Sequence, residues 1–323
     1  MAIAHRSGAV SDRALHRLVT GLAVGLVVLL AAFTVIYYHG QHTSAGPSLT
    51  ERQVTSAEAA VKATPNDLSA RLKLAAAYRE NKQYSDAVTQ YDELLRINAN
   101  DRNTLVGKGE TQIAMGDLSG AVTTLTKVTT ATMTWSYEAL DPQLEKAFYD
   151  LGSVYALKGD QKNAITNLQS ALKIDSTDAD ALYSLGTSLL ATGKPAEAAQ
   201  SLQQAVSFVP TGWKEPYTAL EQAYTQLTQP DRATYAAAMA AFCDNDLDAA
   251  ATKLTALTSG SVKDDAMLGL AFIAEKKADD AAALSWYRKV LKDRPGDFSA
   301  KSGVDRLSAS TSGAGATPTT GVK

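Results

Sequence analysis

The 323-residue chain balances 31 basic against 34 acidic side chains, a net charge of −3, and has no basic stripe of the kind that phosphate binding requires. That excludes nucleic acid as a partner. Apolar residues make up 45% and aromatics 7%, an alanine-rich balance suited to close-packed helices, and the lone Cys243 excludes an intrachain disulfide.

In chain order, residues 1–17 form a basic tail in which Arg6, Arg13 and Arg17 are opposed only by Asp12. Leu18 to Tyr38 then contains no charged residue, and about 20 such residues span a hydrocarbon core. The next Lys or Arg is Arg52, so the positive-inside rule keeps the N-terminus in the cytoplasm and sends the rest across. The expectation is a single-pass helix in the cytoplasmic (inner) membrane, touching the lipid bilayer through Leu18 to Tyr38. The alternative is a signal peptide cleaved near Thr43-Ser44-Ala45, which would release a secreted body, although its apolar core is long for that role. Gly21 and Gly25 form a G-x-x-x-G face suited to self-association. Residues 39–48 read as a polar linker.

Leu49 to Ala63 has the spacing of one amphipathic helix. From there a pattern of small and large residues recurs. It begins with Leu74, Ala75, Tyr78, Ala87 and Tyr91 in a unit over 68–101. Leu105, Gly109, Gly116, Ala121 and Leu125 follow in a unit over 102–135, with matching positions 34 apart. Gly109 to Gly152 is 43, so nine residues are inserted near Trp135 to Pro142. Trp135 and Tyr137 there are candidate contact residues; the competing reading has them only packing a lengthened helix onto its neighbours.

The pattern is clearest over 145–178 and 179–212. Phe148, Leu151, Gly152, Tyr155, Gly159, Ala164, Leu168 and Ala171 are each followed 34 residues later by Leu182, Leu185, Gly186, Leu189, Gly193, Ala198, Leu202 and Ala205. A fixed period of this size is the mark of stacked helix pairs, because one pair cannot bury its apolar face alone. Beyond Pro210 the register blurs into three helices, Trp213–Leu227, Pro230–Phe242 and Asp246–Leu257, which leaves one unpaired. Further units are expected over 231–263 and 264–297, the latter with Met267, Leu270, Ala271, Ala274, Ala283, Tyr287 and Val290. Phe298–Leu307 reads as a closing helix and 308–323 as a disordered tail.

Leu151-Gly152-x2-Tyr155 resembles the core of the tetratricopeptide repeat, with Phe148 where that family has Trp and Ser176 where it has Pro. The resemblance implies an all-α fold, a right-handed α-solenoid of stacked helix hairpins, here preceded by one transmembrane helix. It also implies that first helices line a groove for protein partners. The family's groove positions fall on Leu72, Val106, Tyr149 and Tyr183, on Ala76, Glu110, Ser153 and Thr187, and on Arg79 and Glu80. Candidate groove residues are therefore Leu72, Arg79, Val106, Tyr149, Ser153, Tyr183 and Thr187. The family's clamp for acidic chaperone tails would occupy Leu72, Ala76, Gly107, Lys146 and Asp150, of which Lys146 alone fits.

Catalytic and metal chemistry find little to stand on. All four histidines, His5, His16, His39 and His42, precede the repeats, so the body lacks the usual general base and the commonest metal ligand. Asp244, Asp246 and Asp248 imitate the start of a calcium loop but meet Ala249 and Thr255 where Gly and Glu are needed, so Asp246 reads as a helix cap. No catalytic residue, metal or cofactor is expected. The sequence points to a membrane-anchored scaffold binding proteins outside the cytoplasm as an assembly factor or adaptor. The alternatives are a permanent accessory subunit of a larger membrane complex, and a substrate-presenting arm of a cell-envelope or cytochrome-maturation enzyme system.

Overall fold

The computed structural model describes residues 26, 28–37, 46–130 and 141–313, and among these there are sixteen helices and no strand. Trp135 and Tyr137 lie outside the described residues, as do residues 18–25, 27 and 38 of the expected span. Residues 28–37 form helix α1, whose apolar side chains are exposed on every side, Leu29 to 67%, Phe33 to 66% and Ile36 to 70%. Among the described residues no helix is long and apolar enough to cross a membrane.

The chain divides into two compact units, residues 1–83 and 84–323. In the first, α2 (Leu49–Ala63) packs on α3 (Leu68–Glu80). Ser48 starts α2 with a reciprocal cap. Its hydroxyl accepts from the Glu51 N–H at 3.1 Å, and its own N–H donates to Glu51 Oε2 at 2.7 Å, so two donors that the helix cannot satisfy are satisfied. Asp67 caps α3 one way only, its carboxylate accepting from Ser69 and Ala70 N–H, and Tyr78 Oη donates to Glu58 of α2 at 2.8 Å.

The second unit runs α4 (Tyr84–Ile97), α5 (Arg102–Ala114), α6 (Leu118–Thr130), α7 (Pro142–Leu157), α8 (Gln161–Ile174), α9 (Ala179–Ala191) and α10 (Pro195–Phe208). It continues with α11 (Glu215–Gln226), α12 (Pro230–Cys243), α13 (Leu247–Ala256), α14 (Lys263–Lys276), α15 (Asp280–Asp293) and α16 (Phe298–Gly313). Each helix packs on the next, and α5, α7, α9 and α11 also touch in succession. The pairs close on a small-for-large contact at a constant spacing of 16 residues. Gly109 faces Leu125, Gly152 faces Leu168 and Gly186 faces Leu202, and a Cβ added at any of these glycines would come within 2.5–2.6 Å of the leucine. All three leucines are fully buried. Between paired helices the chain reverses through one left-handed residue, such as Gly159 at φ 78° and Gly193 at φ 72°, where an L side chain is strained.

The same turn resolves the blurred region. Thr228, between α11 and α12, has φ 56°, and Asn245, between α12 and α13, has φ 62°. Both turns repeat the hydrogen bonds of the Gly193 turn: Gln229 N–H to Tyr224 O and Asp246 N–H to Ala241 O match Lys194 N–H to Leu189 O. Helix α12 is therefore the second member of one hairpin and the first member of the next. Its first-member role shows again in its contact with α14. Tyr217, Tyr224, Met239, Phe242, Leu254 and Leu270 lie in one continuous core across this junction.

Two expectations need correction. Helix α16 continues to Gly313, so residues 308–313 are not a disordered tail. Buried Ala300, Gly303 and Leu307 anchor its start, and Ser308 to Ser312 contain no breaker, so each further residue adds a backbone hydrogen bond. Val106, expected in a groove, is 3% exposed and packs in the core with Leu105 and Leu125. The insertion lengthens α7 by about one turn, to 16 residues against 13 in α5 and α9. Asp141 caps this added turn through Gln143 and Leu144 N–H and forms an ion pair with Arg102 of α5.

Gly186→Ala tests the pairing contact. Alanine gains about 1 kcal/mol of helix propensity over glycine. The overlap with Leu202 should nonetheless win, giving a net loss of about 1–3 kcal/mol in urea unfolding. An unchanged or higher midpoint would show that the hairpin does not depend on that close approach.

Candidate protein-binding face

The successive contacts of α5, α7, α9 and α11 put one face of each first helix in a row. Tyr149 of α7 and Tyr183 of α9 are half-buried on that row, 34 residues apart. Burial pushes the Tyr149 pKa above the usual tyrosine range, Ser153 on its own helix and Ser184 on α9 act against this, and the nearby Asp180 and Asp178 carboxylates add to it. The Tyr183 ring meets Trp213 edge-on, with centroids 5.2 Å apart and planes at 62°. Such a pair gains from the aromatic quadrupoles beyond its buried area. Burial, then the charge of Glu215, likewise raises the Tyr183 pKa.

Beside Tyr183 a cavity of about 470 Å³ opens between α9 and α11. Tyr183, Thr187 and Leu190 line one wall, and Lys214, Glu215, Thr218 and Gln222 the other. Its mouth offers an aromatic ring, an aliphatic floor and several hydrogen-bonding tips, the mixture that holds an extended chain. At the α5–α7 end, Lys146 Nζ lies 2.7 Å from Glu110 and 3.9 Å from Asp150, which is 7% exposed. At the other end Lys214 pairs with Asp244 of α12.

Of the residues expected from sequence, Tyr149, Ser153, Tyr183 and Thr187 stand on this row. Leu72 and Arg79 are half-buried on α3 in the first unit. A separate hollow of about 720 Å³ there is lined by Ala57, Ala60, Lys73, Ala76 and Glu80, and includes neither. Sequence reasoning missed Trp213. It stands 34 residues beyond Ala179, two residues before α11 rather than inside the helix expected to begin there, and that offset was the signal available. Asp244, Asp246 and Asp248 hold no common centre: Asp246 caps α13 through Ala249 N–H, and Asp248 pairs with Lys277 at 2.6 Å. Among the described residues no group of three or more His, Cys, Asp or Glu side chains could hold a metal ion.

A carboxyl pair sits under the same row. Glu145, in the first turn of α7, is pushed from its ordinary 4.5 up to about 7 by burial first, then by the neighbouring Asp178 and Asp175 carboxylates, with Lys146 opposing. Asp178 caps α9 by accepting from Asp180 and Ala181 N–H at 2.9 and 3.1 Å. Glu145 is the member of the pair whose pKa is raised. Because its folded pKa lies above its unfolded one, this contribution to stability is fully present below about pH 4.5 and is lost as pH rises through about 7. Glu145→Gln, neutral throughout, should flatten the fall in melting temperature between pH 5 and pH 8. An identical fall in the variant would remove Glu145 from the account.

Tetratricopeptide-repeat family models match residues 54–102, 152–193 and 180–211. None of the curated proteins matches the chain. Among solved structures, a crystal structure of MamA protein is 22% identical, covering 56% of this chain and 93% of that one at a TM-score of 0.48. YrrB, described as a TPR protein with an unusual peptide-binding site, is 19% identical over 61% of this chain and 96% of its own, at 0.49. A tetratricopeptide repeat protein from Parabacteroides merdae is 12% identical over 79% and 90%, at 0.44. At these identities the likeness concerns the fold alone. Tetratricopeptide repeats are thus present in three places along the chain.

Proposed function

We propose that this protein is a membrane-anchored repeat scaffold that binds an extended segment of a partner protein along the α7–α9–α11 face, outside the cytoplasm, as an assembly factor or adaptor. One observation carries the reading: Tyr183, edge-on to Trp213, opens on a cavity between α9 and α11 instead of being sealed by a neighbouring helix. Tyrosine and tryptophan combine large contact area with a polar tip and dominate binding energy at interfaces. The anchor is supported by the uncharged run from Leu18 to Tyr38 and by the bare apolar surface of α1, which disfavours water at about 25 cal/mol per Å². The basic tail before that run supports the orientation.

A resident-subunit role is the second reading, favoured by large apolar side chains left exposed at helix ends, Leu157 at 69% and Phe298 at 83%. The two readings separate on one experiment. Tyr149→Ala combined with Tyr183→Ala should weaken capture of the partner from solubilised membranes by about tenfold or more, with helicity unchanged. Companions retained in full by the double variant would move binding off this face and onto the broader helix surfaces. Topology is tested in intact spheroplasts, where added protease should cut the repeats. A body that resists digestion until the membrane is opened would overturn the extracytoplasmic placement.

A further inference from the structure

Helix α2 is built as the second member of a hairpin whose first member is missing. Its exit turn fixes the register: Thr64 N–H to Ala60 O and Asp67 N–H to Thr64 O recur 34 residues on as Asn98 N–H to Leu94 O and Asp101 N–H to Asn98 O. In that register Ala57 takes the place of Tyr91, Leu125, Leu168 and Leu202, and Ala60 that of Leu94 and Val128. Those six side chains are buried, whereas Ala57 is half-buried and Ala60 exposed. The hollow of about 720 Å³ runs along the pair, from Leu49 to Ala63 on α2 and from Ala70 to Glu80 on α3. A first helix would lie there, against its own second helix and beside the next first helix, as α7 lies against α8 and α9.

The chain does not supply that helix in sequence. Gly40, Gln41 and Ser44 stand where the register requires the counterparts of Leu74, Ala75 and Tyr78. The stretch between α1 and α2, residues 38–48, is also shorter than the 13 residues of α5 or α9. A second copy offers no better fit through α16, its last first-type helix. The counterparts there of Met267, Ala271 and Ala274 are Lys301, Asp305 and Ser308, a polar face that closes that end of the stack to water. We infer that the α2–α3 slot, apart from the α7–α9–α11 face, is a second docking site that takes one amphipathic helix of a partner protein. Because Ala57 stands where the other second helices carry a large side chain, the pairing contact is reversed: the incoming helix brings a leucine or phenylalanine to Ala57.

The test uses the full chain in detergent micelles and, as probe, a labelled peptide of residues 178–194, the α9 segment with its own cap, followed by fluorescence anisotropy. One peptide keeps Gly186 and the other carries Gly186→Leu. The leucine peptide should bind about tenfold tighter or more, with a gain in helicity. Leucine also favours the helix by itself, so the deciding readout is Ala57→Leu in the protein, which should cancel the preference because two leucines would then collide. Ala60→Arg should abolish binding, and Tyr149→Ala with Tyr183→Ala should leave it unchanged. A leucine preference that survives Ala57→Leu, or binding lost with the two tyrosines, would place the helix outside the slot and overturn the inference; the second result would leave the groove standing. Binding of neither peptide would overturn it too, as would self-association of the protein that Ala60→Arg abolishes, which would make a second copy the occupant.

Discussion

The fold of the second unit depends on how closely paired helices approach, and a single contact sets that distance. A leucine from the second helix occupies the space that a glycine leaves on the first, at Gly109–Leu125, Gly152–Leu168 and Gly186–Leu202. A methyl group at any of these glycines would overlap the leucine, so the short distance and the full burial of the leucine are one constraint. Tyr287 meets the same demand in the last pair by packing over Gly303 of α16. Everything outward of these contacts, including the row of first helices that forms the binding face, takes its spacing from them.

Helix α12 shows what happens when the alternation slips by one element. Both of its flanking turns have the left-handed form, so it closes one hairpin and opens another. No apolar surface is stranded, because the core runs without a break from Leu168 to Ile273. The row of first helices is carried to α11 and then resumes from α12 to α14, which places the cavity beside Tyr183 at the last regular step before the slip.

The binding face combines rigidity with uneven charge. Tyr183 is held edge-on against Trp213, so its ring presents a defined surface with little rotamer freedom left to lose on binding. Glu145 and Asp178 lie just beneath, where α7 meets the cap of α9, and burial beside the Asp178 and Asp175 carboxylates raises the Glu145 pKa to about 7. The contact between neighbouring first helices is therefore sensitive to pH near neutrality, at the step on which Tyr149 stands.

The amino-acid sequence by itself determined the all-α class and the 34-residue unit, because the interactions that build a hairpin are local. Gly186 and Leu202 are 16 residues apart, and Asp178 caps the helix that begins beside it, so spacing alone carries the information. It also placed Tyr149, Ser153, Tyr183 and Thr187 on one face through their common register. What a face becomes depends on helices that arrive from further along the chain, and only the tertiary structure decided that. Val106 has the register of a groove residue yet sinks into the core against Leu125. Trp213 has no motif around it yet meets Tyr183 across 30 residues, and α12 takes both neighbours because its two turns are equivalent in backbone conformation but not in sequence. Periodicity sees each helix alone, whereas burial, charge and cavity are properties of the gaps between helices.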